Sequence, residues 1–153
     1  IPIPNLSSNN PALPAITQDV SHFEHERLDV YRAAIDFLVV ADQTAAQLPK
    51  GRAYLADQLR RAALSIALNI AEGAGEFAPA DKARFYRMAR RSGTECAAIQ
   101  HACFALKLVD HESTETARGL LDRIVAMLTA MVLRIKDPGS GSGARSGSVP
   151  DEM

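Results

Sequence analysis

Apolar residues recur at every third or fourth position over most of this sequence, which is the spacing of an amphipathic α-helix. The predicted helices span about residues 21–47, 52–73, 79–106 and 113–136. A capping box, Ser21-x-x-Glu24, opens the first helix. Pro79 suits the first turn of the third, and Ser113 is a candidate N-cap for the fourth. Three short connections make sequential helices antiparallel, so we predict an all-α fold, an up-down-up-down four-helix bundle.

Each helix should turn one apolar seam toward the bundle core. The seam predicted for the second helix is Leu55, Leu59, Ala62, Ile66, Asn69 and Gly73. The seam predicted for the third is Phe85, Met88, Ser92, Glu95, Ile99, Ala102 and Leu106. The seam predicted for the fourth is Ala117, Leu120, Ile124, Met127 and Met131.

The second and fourth helices carry a second apolar line that one bundle core does not need. This line comprises Leu64, Leu68, Leu121, Val125, Leu128 and Val132. Exposed apolar patches of this kind usually mark interfaces. We therefore predict a homo-oligomer with these residues at its interface. The alternative is a wide buried stripe within one chain.

Length and composition fit one domain with flexible ends. The chain has 153 residues, 47% hydrophobic and only 5% aromatic, which suits a core of Ala, Leu, Ile and Val. Residues 1–20 are predicted to be a flexible Pro/Asn-rich arm, 21–136 the bundle and 137–153 a flexible Gly/Ser-rich tail. No apolar run reaches the ~18 residues needed to cross a bilayer. Cys96 and Cys103 match no redox or zinc spacing, so we expect free thiols in a reducing cytoplasm.

Net charge is −1, so any polyanion-binding surface must come from local asymmetry. The start of the third helix is rich in arginine, and positions 84, 87 and 91 share one helix face. A second basic pair precedes the apolar centre of the second helix. The candidate nucleic-acid-binding residues are Arg60, Arg61, Arg84, Arg87, Arg90 and Arg91. Phosphate contacts by these side chains would make binding salt-dependent. The alternative is a solvated or ion-paired face, with Asp57 or the acidic first helix as partners.

Polar residues also fall on or beside the predicted seams of the second and third helices. These are Ser65, Asn69, Glu72, Ser92 and Glu95. A buried polar group without a partner costs about 1–3 kcal/mol. We therefore predict a buried polar network that fixes the register of the helices or of subunits. A ligand-binding or catalytic role is the alternative.

The natural enzyme hypothesis for a four-helix bundle is a di-metal carboxylate site, which needs Glu-x-x-His on two helices. Here Glu72 is followed three positions later by Gly75, and Glu95 by Ala98. Gly73-Ala74-Gly75 follows a helix, so it fails the context of a dinucleotide-binding loop. We expect no metal, no cofactor and no catalytic residues, and predict a protein that is not an enzyme.

The stretch 59–73, L-R-R-A-x-x-S-I-x-x-N-I-A-E-G, followed by FYRMARRSGTE at 85–95, resembles a known family. Its members are small four-helix-bundle proteins encoded in intervening sequences of bacterial 23S rRNA genes. The accessory variability determinant of diversity-generating retroelements is a relative. The resemblance covers about Phe23 to Lys136. It implies a ring-shaped homopentamer with a basic lumen or face. The retroelement relatives bind nucleic acid and a reverse transcriptase.

Together these observations favour a non-enzymatic, cytoplasmic, oligomeric bundle that binds RNA or DNA electrostatically. The resemblance implies that it is an accessory to a reverse transcriptase or another nucleic-acid enzyme. The alternative is a structural or protein-interaction oligomer with no nucleic-acid role. Salt-sensitive binding to nucleic acid separates the two.

Overall fold

The computed structural model describes residues 23–136, and four α-helices account for most of them. They are α1 (Asp29–Gln47), α2 (Ala53–Gly75), α3 (Pro79–Ala105) and α4 (His111–Lys136). Two short 3-10 turns, Glu24–Arg27 and Lys50–Arg52, precede α1 and α2. The all-α, four-helix prediction is confirmed, and the described residues contain no strand. The predicted arm at 1–20, the tail at 137–153 and Ser21 of the capping box lie outside the described residues.

Contacts between distant residues show that α2 and α3 are antiparallel. Ser65 of α2 meets Ser92 of α3, and Gly73, two turns later in α2, approaches Tyr86, earlier in α3. The position numbers rise on one helix as they fall on the other. Helix α4 packs on α3 and on α1, which closes the bundle.

Two helix starts differ from the prediction for local reasons. Helix α1 begins at Asp29, because the residues after Phe23 first form the 3-10 turn. The start of α4 is capped by Asp110 and not by Ser113. The Asp110 carboxylate accepts a hydrogen bond from the Ser113 backbone N–H at 2.7 Å, which satisfies one of the free amides of the first turn.

The α2 seam is confirmed, since Leu59, Ala62 and Ile66 are buried in the core. The α3 seam is wrong by about one residue's rotation around the helix. The buried residues of α3 are Ala83, Tyr86, Ala89, Gly93, Cys96, Gln100 and Cys103. The larger predicted residues lie at the edge of the core or on the surface; Met88, Glu95 and Leu106 are exposed.

Close helix packing explains why small residues of α3 face the core. A Cβ on Gly93 would lie 3.3 Å from Cγ2 of Val125 on α4. A Cβ on Gly73 would lie 2.7 Å from the ring of Tyr86. Backbones this close leave no room for Met or Leu at these positions. The larger side chains therefore flank the contact.

Helix α4 does not present the surplus apolar line predicted for it. Leu121, Leu128 and Val132 are buried within the single chain, and Val125 is half-buried against α3. The assignment of Leu121, Leu128 and Val132 to an oligomer interface is therefore wrong, and that of Val125 stays a prediction. Helix α4 lies between α3 and α1, so both of its apolar lines are used inside one bundle. Leu64 and Leu68 of α2, in contrast, are 45% and 52% exposed.

Candidate nucleic-acid interface

The outer face of α3 carries a row of exposed arginines. Arg84, Arg87 and Arg91 are exposed and lie on the side of α3 away from its buried residues. At 1.5 Å per residue, the three Cα positions span about 10 Å along the helix axis. Arg90 is exposed beside them. The structure thus places four of the six predicted basic residues on one accessible helix.

Acidic partners neutralise this surface only in part. Arg84 Nε lies 4.0 Å from Asp81, a weak exposed pair, and its guanidinium covers the Phe85 ring at 4.9 Å. Within residues 23–136, Arg87, Arg90 and Arg91 have no carboxylate within 4.0 Å. Exposed pairs contribute little in water. The row therefore keeps most of its positive potential.

The two arginines of α2 differ from each other. Arg60 Nε donates a hydrogen bond to Asp42 of α1 at 2.8 Å, so the ion-paired alternative holds for this residue. Arg61 is exposed and forms no salt bridge with another described residue. The sequence showed that both positions are basic. It could not show the contact of Arg60 with Asp42, because that contact joins positions 18 residues apart on different helices.

Lys82 lies within the same basic stretch but has a structural role. Its Nζ donates hydrogen bonds to the carbonyl oxygens of Gly73 at 2.8 Å and Ala74 at 3.0 Å. These are carbonyls of the last turn of α2, where a cation also complements the helix dipole. Lys82 thus joins the end of α2 to the start of α3 and does not belong to the arginine row.

The predicted polar network is formed by three of its five residues. Ser65 Oγ and Ser92 Oγ lie 2.9 Å apart, linking α2 to α3. Asn69 Nδ2 donates to the backbone oxygen of Ser65 at 2.8 Å and to its Oγ at 3.0 Å. These residues are half-buried. Glu72 and Glu95 are exposed and take no part. For Glu95 the reason is that the buried face of α3 is rotated relative to the predicted seam.

Phe77 is a prominent surface residue that the sequence reasoning missed. It lies between the end of α2 and Pro79 at the start of α3, and it is 99% exposed. The sequence signal for Phe77 was its place in a connection of only three residues, which is too short to fold the ring into the core. Tyr86 of α3 is buried instead, and its desolvation, with the nearby charge of Glu24, raises its pKa.

Both cysteines of the described residues are buried as free thiols. Burial, helped by the charge of Glu95, raises the pKa of the Cys96 thiol to about 12, and burial also raises that of Cys103. Thiols held in the neutral form are poor nucleophiles. Within residues 23–136 no cluster of His, Cys, Asp or Glu could hold a metal ion. No helix in that range has the length and hydrophobicity to cross a membrane.

These features define a class, the all-α bundles with one strongly basic outer helix face. The chain belongs to the 23S rRNA-intervening sequence protein family, whose model matches residues 26–130. The family resemblance read from the sequence is therefore confirmed. The relation to retroelement accessory proteins remains a prediction.

A solved structure supports the fold independently. The chain is similar to a protein of unknown function from the S23 ribosomal protein family of Bacteroides thetaiotaomicron VPI-5482, with a TM-score of 0.64 and 18% identity. The match covers 68% of this chain and 95% of that chain. Identity at this level shows the shared fold alone. Comparison with curated proteins gives no significant match.

Proposed function

We propose that this protein binds RNA or DNA through the arginine row of α3 and acts by binding, not by catalysis. The observation that carries the proposal is the row itself: Arg84, Arg87 and Arg91 are exposed on one face of α3. Arg87 and Arg91 lack carboxylate partners among the described residues, and Arg84 has only a weak exposed pair with Asp81. Guanidinium groups suit phosphate because they donate paired hydrogen bonds and never lose their charge. Net charge is −1, so the effect is local, not global.

Oligomerisation would strengthen such a surface. The family resemblance implies a ring-shaped homopentamer, and the free cysteines favour a location in the cytoplasm. Five copies of the arginine row on one assembly would give a polyanion many contacts at once, and linked contacts raise avidity without improving any single one. An accessory role beside a reverse transcriptase or another nucleic-acid enzyme is the partner hypothesis that follows from the same resemblance.

The test is fluorescence anisotropy with labelled RNA and DNA across a salt series. Arg87→Glu with Arg91→Glu should weaken binding by about tenfold or more, since a hydrogen bond to a charged group contributes about 1.5–3 kcal/mol. The slope of log K against log salt should also fall, by about 0.7–0.9 for each lost phosphate contact.

The matched control is Arg118→Glu with Arg123→Glu, which makes the same change in net charge with two exposed arginines of α4. This variant should retain most of the affinity. Equal losses in both variants would mean that only net charge matters, and the row would not be the site. No binding by the wild type at low salt would refute the proposal.

A structural or protein-interaction oligomer is the second candidate function. The observation that favours it is the exposed pair Leu64 and Leu68, two large apolar side chains on the outer face of α2. Light scattering separates the candidates. A discrete oligomer whose mass is unchanged by nucleic acid at any salt concentration would favour the scaffold, whereas a low-salt shift would favour nucleic-acid binding.

A further inference from the structure

Phe77 is held out from the bundle on a short, anchored connection. The backbone N–H of Glu76 donates to Gly73, and that of Lys82 donates to Ala78. The Lys82 ammonium ties the same two helix ends together. The connection is therefore fixed on both sides of the ring. An exposed ring on a fixed backbone loses little freedom when it binds a partner.

The arginine row follows this ring along the chain. Arg84, Arg87 and Arg91 lie five, eight and twelve residues after Pro79, at axial rises of about 8, 12 and 18 Å. No other aromatic residue of the stretch 77–91 has an open face. Tyr86 is buried, and Phe85 is half-buried beneath the guanidinium of Arg84. Phe77 thus supplies the one free π-face at the end of a line of cations.

This combination matches the chemistry of single-stranded nucleic acid. Proteins that bind single strands pair a cationic track for the phosphates with aromatic side chains that stack on unpaired bases. In a duplex the bases already stack on each other and leave no face for the ring. An isolated exposed apolar residue is common, but Phe77 directly precedes the helix that carries the cations, and this order along the chain gives it a specific use.

From this geometry we infer that Phe77 stacks on an unpaired base while the strand's phosphates follow Arg84, Arg87 and Arg91. The ligand is then single-stranded RNA or DNA, not duplex. The inference rests on the proposed function and narrows its substrate class. Stacking tolerates any base, so little sequence preference is expected.

The experiment measures anisotropy of the full chain with four labelled ligands at one low salt concentration. They are oligo(dT) and oligo(U) of about 12 nucleotides, within the usual site size, a blunt DNA duplex of equal length, and an abasic strand with the same backbone. The variants are Phe77→Ala, Phe77→Leu and Phe77→Trp. The matched control is Phe104→Ala, which removes another exposed aromatic ring from the far end of α3.

The wild type should prefer the base-bearing single strands to the duplex and to the abasic strand. Phe77→Ala should weaken single-strand binding by about 5- to 150-fold, the contribution of one stacked base. Phe77→Leu should lose nearly as much because it keeps bulk but not the π-face, and Phe77→Trp should retain affinity. Abasic and duplex binding should be unchanged by Phe77→Ala, and Phe104→Ala should resemble wild type.

The contrary outcomes are distinct. If Arg87→Glu with Arg91→Glu weakens binding but Phe77→Ala does not, stacking is wrong and the proposed function stands. If the wild type binds none of the ligands, both are wrong. If Phe77→Ala changes the mass of the free protein by light scattering, the ring is a subunit contact and the stacking inference is overturned.

Discussion

At the scale of single residues, Gly73 has the closest surroundings of the described glycines. A Cβ there would lie 2.7 Å and 2.9 Å from two carbons of the Tyr86 ring, and that ring is buried. Gly73→Ala should therefore lower the free energy of unfolding by about 1–2 kcal/mol, because overpacking exceeds the gain in helix propensity. Urea denaturation measures the change.

The control is Gly119→Ala in α4, where an added Cβ meets nothing within 4 Å. That variant should be more stable by about 0.5–1 kcal/mol, the ordinary advantage of Ala over Gly inside a helix. Two variants of equal stability would show that the Tyr86 ring moves aside at little cost.

Gln100 is the one buried polar residue of the described core, and its Nε2 has no hydrogen-bond partner there. A buried unsatisfied donor costs about 1–3 kcal/mol. Gln100→Met keeps the length of the side chain and removes the donor, so it should raise the free energy of unfolding by about 1 kcal/mol or more. A loss of stability in urea denaturation would contradict this and would mean that Gln100 is satisfied in solution.

At the scale of helices, the cap of α4 makes stability depend on pH. The hydrogen bond from the Ser113 backbone, with further help from the Ser113 side chain, lowers the pKa of Asp110 below its ordinary value of 3.8. A lowered folded-state pKa stabilises the fold above pH 3.8, and this contribution is lost as pH falls through the folded value.

Asp110→Ala should therefore lower the thermal midpoint at neutral pH, and its difference from wild type should shrink below pH 3.8. The thermal midpoint of Asp110→Asn at neutral pH should lie between those of the wild type and Asp110→Ala, because Asn keeps the hydrogen-bond acceptor but not the charge. The control is Asp122→Ala, which removes an exposed carboxylate from the interior of the same helix. A difference that stays constant down to low pH would rule out the charged cap.

The sequence predicted which segments are helical better than it predicted which faces are buried. Periodicity and breakers marked α2 and α3 to within about two residues. Hydrophobicity then placed the wrong face of α3 toward the core, because Met88 and Leu106 are more hydrophobic than Gly93 and Ala89. Close packing selects for small size instead. The spacing of seven between Cys96 and Cys103 was the signal for the correct face, because free cysteine is among the residue types most often buried.

At the candidate site, too, the sequence predicted some features correctly and could not predict others. Exposure of the arginines followed from charge, because unpaired cations are almost never buried. The ion pair that joins Arg60 to Asp42, and the hydrogen bond by which Lys82 caps the end of α2, are contacts between separate helices. The full exposure of Phe77 depends on the short path between α2 and α3. Tertiary geometry decides all three.

At the scale of the whole molecule, exposed apolar side chains of α2 lie level with apolar side chains of α1. The Asp42–Arg60 pair sets their register. One and two turns further along α2 are Leu64 and Leu68, level with half-buried Leu38 and Ile35 of α1. Apolar side chains thus lie at matching levels on the two helices. Leu64 and Leu68 of α2 remain candidates for the predicted interface, which we expect to continue onto α1 and not onto α4.

This continuity predicts that charge at Leu68 will dissociate an oligomer without unfolding the chain. Leu68→Lys should lower the mass measured by light scattering, and Leu64→Lys with Leu68→Lys should give monomers, because a buried unpaired ammonium is strongly unfavourable. The matched control is Leu133→Lys on α4, which replaces a leucine that is 61% exposed. It should leave the mass unchanged.

Circular dichroism should show native helix content in all three variants. A Leu68→Lys protein with wild-type mass would place the subunit contact elsewhere, and a monomeric wild type would leave this apolar surface without a second copy to cover it.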